Sequence, residues 1–571
     1  MAASNSPAEQ LITENIDIWT SAIKKRGSQG RGSNKKIELY GIKKLRELIL
    51  ELAVRGLLVP QDPNDEPASV LLEKIAAEKE QLIKDGEIKK QKALPEVSDE
   101  VISFQLPRGW VWAKFDDIGS TNIGLTYKPS NVTEHGIPVL RSSNIQKNKI
   151  CLRDLVRVSE IQPKSNSYIE NGDLLICARN GSKSLVGKAA LISDLSEPMV
   201  FGAFMAIFRC KINSYLHMFL SSPLFRRQLE GVNTTTINQI TQSNLRSTLT
   251  PIPPEAEQPR IVAKVDELMA LCDQLEQQTE TSLSAHQTLV ETLLNTLLNA
   301  DQNSFDQAWE RIAQHFDILF TTEHSIDQLK QTILQLAVMG KLVPQDPNEE
   351  PASVLLEKIA AEKEQLIKDK KIKLQKKAQV FEQSIKYESL PKGWEAVDFG
   401  DITFNRDAER IPLSVSDRNM RKGEYDYYGA SGVIDNIDNY LFDKPLLLIG
   451  EDGANLVNRS TPIAFMAYGK YWVNNHAHVL DGITEQFLIY ISLYINSISL
   501  LPYITGMAQP KMNQAKMNSI LVLLPPENEQ IRIITKVNEL VTLCESMKTQ
   551  IRETQTTQLH LADAMAEQAL N

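Results

Sequence analysis

Cysteine is scarce in this 571-residue chain, and its five copies, Cys151, Cys177, Cys210, Cys272 and Cys544, are scattered. They form no CxxC pair and have no histidine nearby at metal-ligand spacing, so neither a disulfide framework nor a structural zinc is expected. Long apolar runs are missing too. None approaches the roughly 20 residues that span a bilayer, and no membrane partner is expected. Met1 to Thr20 carries acidic and polar residues where a secretory signal needs a basic start and an apolar stretch, so the expected location is cytoplasmic. Positive charge is also in deficit. A formal net charge of −10 argues against a protein that coats nucleic acid indiscriminately and makes any DNA contact local.

The usual marks of catalysis are missing as well. There is no NPPY- or DPPY-type methyltransferase motif, and both PPE motifs sit ahead of helices without the aromatic. No glycine-rich nucleotide loop is present, since GSKSLVGK at Gly181 lacks Walker spacing. Asp173 in GDLLICAR lacks the ExK partner of a nuclease carboxylate and reads as a turn residue. Glu451 and Asp452 with His476 and His478 could be metal ligands, but acidic turns and strand histidines are more often structural. No metal site and no catalytic residue is expected.

What is present is a repeat. A chain of this length splits into several domains, and 42% hydrophobic with 23% charged residues is a soluble globular composition. Val59 to Asp85 recurs as Val343 to Asp369 with only Asp65 replaced, by Glu349. The match extends upstream, where LILELAVRGLLVP ends at Pro60 and TILQLAVMGKLVP at Pro344, and downstream, from LPRGW at Leu106 to LPKGW at Leu390. In a second register, PPEAEQPRIVAKVDELMALC from Pro253 matches PPENEQIRIITKVNELVTLC from Pro525. The order is framework, insert, helix, twice over. The expected segments are an N-terminal helical framework over 1–115, a first insert over 116–235, a central framework with a long helix over 236–300, a repeated helical framework over 301–400, a second insert over 401–507 and a C-terminal framework with a long helix over 508–571.

The framework reads as helices. Glu66-Pro67 puts an acidic cap and a first-turn proline ahead of Val70, Leu71, Ile75 and Leu82, and Glu80 stands i,i+4 to Lys84. Gly56 and Gly340 suit helix C-termini, with Pro60 and Pro344 just beyond. Both copies also keep the outer face of this helix, which suggests that each docks the same kind of partner surface. Ile261, Val265, Leu268, Cys272 and Leu275, and likewise Ile533, Val537, Leu540, Cys544 and Met547, form heptad seams. A helix from Arg260 to Ala300 would be about 60 Å long. Packing the two long helices on each other, antiparallel and about an approximate two-fold axis, would make a coiled-coil spacer with one insert at each end.

Both inserts look mixed α/β, with short runs such as GIPVL, DLLICA, PLLLIG and YWVNNHAHVL between Gly, Asn and Asp turns, and neither resembles the other closely. Ser120 to Thr235 holds 14 basic against 8 acidic residues, about +6, which suits a phosphate-facing domain. Phe404 to Thr505 holds 8 against 12, about −4, and charge gives no support there.

LPxGW, an insert, GVNTTTINQITQSNL and PPEAEQPRI, repeated as GMAQPKMNQAKMNSI and PPENEQIRI, closely resemble the specificity subunit of type I restriction-modification enzymes, over nearly the whole chain. LITENIDIWTSAIKKR and the PQDPNxEPAS segments look like the branch with extended framework regions, and IPVLRSSNIQ, NGDLLICARNGS, YDYYGASGVIDNIDNYLFD and LLIGEDGAN resemble target recognition domains. The resemblance implies a DNA-binding subunit without chemistry of its own. Its partners would be double-stranded DNA, two modification subunits that methylate adenine, and restriction subunits that translocate and cut. No cofactor would be bound by this chain; S-adenosylmethionine, ATP and Mg would sit on the partner subunits. Two unlike heads on a pseudo-symmetric spacer should read an asymmetric, split target with half-sites a DNA turn or more apart. The competing reading is a scaffold whose duplicated helices gather two copies of a partner while the inserts bind protein; a self-contained enzyme is disfavoured by the empty motif search.

Base reading needs Arg, Lys, Asn or Gln at base edges, with hydroxyls and amides at phosphates. In the first insert Arg141, Ser143 and Asn144 in LRSSN and Arg179, Asn180 and Lys183 in ARNGSK qualify, since Gly-Ser turns let backbone approach closely. In the second, Tyr428, Ser431, Asn458, Arg459, Asn474 and Asn475 do. Thr235, Asn238, Gln509 and Lys511 occupy matching loops before the long helices.

Overall fold

A computed structural model describes residues 7–25, 37–85, 94, 104–159, 161–230, 238–301, 303–373, 390–506 and 509–570. The chain divides into two compact units, one comprising Met1–Leu283 with Thr554–Asn571 and the other Ser284–Glu553.

In the first unit, helix α1 (Tyr40–Arg55) buries Ile42, Leu45, Ile49 and Leu52 at helical spacing and ends at Gly56 in the left-handed region, φ 70°. A side chain there would start 2.6 Å from the Pro107 ring of LPRGW. Helix α2 (Ala68–Lys84) begins one residue later than Pro67 predicts: Pro67, with ψ 145°, is the cap itself. The reason lies in the repeat, because the Ala68 amide, which would otherwise be unpaired at a helix start, donates to the Gly109 carbonyl at 2.8 Å. Glu80 and Lys84 do pair, at 3.2 Å.

Strands β1 (Val111–Lys114), β2 (Ser120–Ile123), β3 (Val132–Thr133), β4 (Ile137–Leu140), β5 (Val156–Val158), β6 (Leu174–Cys177), β7 (Ala189–Leu191), β8 (Val200–Phe201), β9 (Met205–Arg209) and β10 (Leu249–Ile252) build the first insert and its base. One sheet runs β7-β6-β9-β2, a second β8-β4-β5-β3, and β1 pairs with β10 below them. The strand β6 is apolar throughout because both its faces are covered. Leu174 and Ile176 face the framework core with Phe219 on helix α3 (Asn213–Ser221), while Leu175 and Cys177 face the second sheet with Leu140 and Phe201.

Helix α4 (Glu257–Asn299) starts three residues before the expected position. Its seam, Ile261, Val265, Leu268, Cys272 and Leu275, is buried throughout. All five cysteines are free. Arg46 on α1 grips α4 through Asp273 at 2.6 Å and Glu276 at 2.8 Å.

The second unit repeats this plan with helices α5 (Glu323–Val338), α6 (Ala352–Lys368), α7 (Glu485–Ser497) and α8 (Glu527–Leu570). Its strands are β11 (Glu395–Asp398), β12 (Phe404–Asn405), β13 (Lys422–Gly429), β14 (Gly432–Ile437), β15 (Phe442–Asp443), β16 (Leu446–Gly450), β17 (Ala464–Ala467), β18 (Lys470–Val473), β19 (Ala477–Asp481) and β20 (Leu521–Leu524). The orders are β17-β16-β19-β12 and β14-β13-β18-β15, with β11 on β20. The first of these repeats the first unit's main sheet strand for strand, and the parallel pair β13 and β18 corresponds to β4 and β8. Gly340 again adopts φ 70° under Pro391, and the Ala352 amide again donates to Gly393, at 2.8 Å. Two inserts without visible sequence similarity therefore share a main sheet and a parallel strand pair, while the second sheet adds its fourth strand differently, β3 beside β5 in one and β15 beside β18 in the other.

Each long helix serves both units. Cys272 of α4 shares a core with Ala562 and Ala566 near the end of α8, and Val290, Leu294 and Leu297 of α4 share the other with Ile533, Val537 and Cys544 of α8. Among the described residues no helix is long and apolar enough to cross a membrane.

Candidate nucleic-acid interface

The two repeated motifs meet each other at the base of each insert. Trp110 of LPRGW donates its indole N–H to Glu257 of PPEAEQ at 2.9 Å, and Gln61 donates to the other oxygen of the same carboxylate at 2.7 Å. In the second copy Trp394 donates to Glu529 at 3.0 Å and Gln345 at 3.3 Å. Burial raises both glutamates above the ordinary carboxylate range, against the lowering effect of these donors. The one substitution in the long repeat is compensated by length: Arg260 pairs with Asp65, and Arg532 reaches Glu349, with Nη2 at 3.1 Å.

Above this base, three distant loops of the first head converge. Asn180 donates to the Ser142 hydroxyl at 3.2 Å, and Asn238 donates to the Gly181 carbonyl at 3.1 Å. Arg179 and Gln239 form an isolated antiparallel bridge. The Arg179 guanidinium lies over the Phe204 ring, 5.1 Å from its centroid, and Phe204 is 59% exposed. A cavity of about 360 Å³ opens beside them, lined in part by Ile123, Gln239 and Gln242.

In the second head the same backbone positions meet. Asp452 and Lys511 form the bridge that Arg179 and Gln239 form in the first. The amides of Glu451, Gly453 and Met512 donate to His476, Pro510 and Glu451, at 2.8, 3.0 and 2.8 Å. Their counterparts are the amides of Ala178, Asn180 and Ile240, which donate to Phe204, Asn238 and Ala178, at 2.9, 3.2 and 2.7 Å. The Asn474 amide donates to Tyr428 at 3.1 Å, as Gly202 does to Leu140 at 2.9 Å.

The histidines and acidic residues of this head pair among themselves. His476 Nδ1 lies 2.8 Å from Asp452, and His478, buried, sits with Nδ1 2.6 Å from Asp407 and Nε2 3.0 Å from the Met512 carbonyl. Arg410 and Lys511 hold Glu451 at 3.0 and 3.2 Å. Burial pushes the Asp407 carboxyl up, but His478 and Arg410 outweigh it and leave it below its ordinary value. Asp173 of the first head is gripped by Arg209 at 2.7 Å and accepts the Glu170 amide at 2.9 Å, as a buried turn residue does.

The sequence-derived reader residues sort by what they touch. Ser143, Arg179, Lys183, Ser431, Asn458, Asn475, Gln509 and Lys511 are exposed. Asn144 is wholly buried, accepting the Arg141 amide at 2.9 Å and donating to the Cys151 and Arg153 carbonyls at 3.1 and 3.2 Å. It shapes the loop and offers nothing outward. Arg141 is half-buried and reaches the Asp154 carbonyl at 3.4 Å. Asn474 is nearly buried and accepts the His476 amide at 2.8 Å. Tyr428 packs against Phe465 and Tyr471 with centroids 6.0 and 5.5 Å away. Arg459 turns to the end of α7, donating to the Ile498 carbonyl at 2.7 Å. Thr235 lies outside the described residues. Sequence reading passed over Phe204, which stands in an apolar run, and set Asp452 and His476 aside; only the register of the strands brings these to the surface with Arg179 and Lys511.

The chain is similar to known proteins along its whole length. Residues 107–285 and 391–555 match the type I restriction modification DNA specificity domain. The EcoEI specificity subunit of Escherichia coli is 39% identical over 603 residues, covering 99% of this chain and 100% of that protein, and the EcoAI specificity subunit is 39% identical over 606 residues with the same coverage. The crystal structure of the HsdS subunit from Thermoanaerobacter tengcongensis covers 82% of this chain at 17% identity and a TM-score of 0.40. On the strength of identity along its whole length, with both domain matches falling on the two inserts and their flanking motifs, the chain belongs to the DNA specificity subunits of type I restriction-modification enzymes, the targeting and not the catalytic component.

Proposed function

We propose that this subunit reads an asymmetric, split DNA sequence, one half-site per insert, and positions two modification subunits and the restriction subunits on it. The observation that carries the reading is the pair of heads: one strand order in the main sheet, one convergence of loops, and different side chains at equivalent places. Identical heads would call for a palindrome; these call for two different half-sites. The proposed contacts are Arg141, Ser143, Arg179, Asn180, Lys183 and Asn238 in the first head and Ser431, Asn475, Gln509 and Lys511 in the second, with phosphate contacts outnumbering base contacts.

The framework supports the partner assignment. On α2 the exposed Glu73, Lys74, Ala76, Ala77 and Gln81 recur on α6 as Glu357, Lys358, Ala360, Ala361 and Gln365, equally exposed. Lys74 and Gln81 pair with Glu66 and Asp85, and Lys358 and Gln365 with Glu350 and Asp369, while Glu73, Ala76 and Ala77 and their counterparts face solvent; each helix then offers one modification subunit the same surface. S-adenosylmethionine belongs on those subunits, ATP and Mg on the restriction subunits, and the assembly works in the cytoplasm, on the host's own DNA. Methylome sequencing of the host with and without the gene tests this. One split, adenine-methylated motif should vanish on deletion, and exchanging residues Ser120 to Thr235 for another such insert should change one half of it. An unchanged methylome, or both halves changing on exchange, refutes the reading.

A further inference from the structure

We infer that Arg179, Phe204 and Gln239 in the first head and Asp452, His476 and Lys511 in the second form one base-reading station built twice, aimed at guanine in the first and at an exocyclic amino group, of cytosine or adenine, in the second. The inference deepens the DNA-reading function and rests on it. Its starting point is backbone equivalence. In both heads the central strand, β6 or β16, leaves the sheet just after its last register pair, Cys177 with Met205 and Gly450 with Ala477. The chain then makes the same three amide hydrogen bonds, one to the Phe204 or His476 carbonyl and two with the loop that precedes the long helix, and the same isolated bridge to that loop. Positions 179, 204 and 239 therefore correspond to 452, 476 and 511. A rigid strand end braced on two sides holds a side chain more precisely than a free loop does.

The chemistry at these positions differs in a directed way. Phe204 keeps a large apolar ring in solvent, where it covers one face of the Arg179 guanidinium. A stacked guanidinium loses rotational freedom but keeps its edge donors, and that planar fork matches O6 and N7 of guanine in the major groove. The adjoining cavity gives the base edge room to enter. In the second head the same place holds an acceptor. Asp452 is fixed by His476 at 2.8 Å, and a carboxylate is repelled by phosphates but accepts from cytosine N4 or adenine N6. Lys511, tethered to Glu451 at 3.2 Å, supplies positive charge beside it for the backbone. This accounts for reading by a head whose charge is about −4: its acidic station needs base edges, not phosphates.

The test is selection of bound DNA from a randomised library by the assembled methyltransferase, at several salt concentrations, with Arg179→Ala and Asp452→Asn variants. Arg179→Ala should lose preference for guanine at one position of the first half-site, by about 5- to 150-fold, leaving the second half-site and the salt dependence unchanged. Asp452→Asn should relax one cytosine or adenine in the second half-site alone. In each case the half-site still read shows that the chain is folded and assembled. Should the alanine variant lose both halves, Arg179→Lys decides: charge without the fork should keep the salt dependence and lose the guanine. Uniform weakening over all sequences with a shallower salt slope would make Arg179 a phosphate contact and overturn the station, as would unchanged preferences. A wild-type complex that enriches no split sequence would instead refute the DNA-reading function itself.

Discussion

Removing one indole N–H should loosen the base of an insert. Trp110→Phe keeps most of the buried ring but deletes the donor that lies 2.9 Å from Glu257, leaving that carboxylate with Gln61 at 2.7 Å. A hydrogen bond to a buried charged group is worth about 1.5–3 kcal/mol, so a loss near 2 kcal/mol is expected. The sign of the pH dependence follows from the raised Glu257 carboxyl. Burial penalises its charged form, so the favourable contribution of the neutral form is present at acid pH and fades as pH rises through the folded value. Losing the Trp donor raises that value further, and the variant's deficit should widen from pH 4 to above the ordinary carboxylate range (about 4.3 for Glu). Urea unfolding of the full chain, followed by hydrogen exchange in α1 and α2, measures it. Glu257→Gln and the double variant complete a cycle in which the coupling should exceed about 1 kcal/mol. A deficit below about 0.5 kcal/mol, or additive single effects, would refute the claim that this bond closes the insert.

Four further outcomes are expected. Gly56→Ala forces a side chain into the left-handed region and 2.6 Å from Pro107, and should lower the unfolding midpoint by the equivalent of about 2 kcal/mol. Gly340→Ala should do the same in the second unit, where the ring met is Pro391. Arg209→Ala leaves the buried Asp173 without its charged partner and should destabilise the first head by about 2 kcal/mol, read as faster exchange in β6 and β9. Asp407 is held below its ordinary value, so its contribution is present above the unfolded value and lost as pH falls through the folded one; acid should loosen the second head below about pH 4, and Asp407→Asn should flatten that dependence.

The framework was legible because it is written twice: caps, seams and the Glu80–Lys84 pair follow from local spacing, and the buried seam from Ile261 to Leu275 matches it. Pro67 fell one residue from its expected place because a tertiary contact, Gly109 to the Ala68 amide, satisfies the helix start. The mixed α/β class of both inserts was legible, but the main-sheet strand order they share was not, since strand order is set by long-range pairing that short apolar runs do not encode. The same cause misplaced individual side chains. Asn144 looks like a loop polar residue and is a buried brace; Arg459 looks like a loop reader and donates to the Ile498 carbonyl past the end of α7; Phe204 looks like core and stands in solvent at the turn after Gly202.

The closing of each insert has a consequence for how such a protein changes. Trp110 and Glu257 stand on opposite sides of the first insert in sequence, and β1 pairs with β10 from Val111↔Ile252 to Lys114↔Leu249, so entrance and exit are fastened to each other at the base of the head. A segment whose two ends already touch can be exchanged for another of different length without asking the rest of the chain to move. The second copy, with Trp394 on Glu529 and β11 on β20, is the same socket holding a different plug. New target sequences can then arise by exchange at the socket, while the framework helices pass unaltered from one specificity to the next.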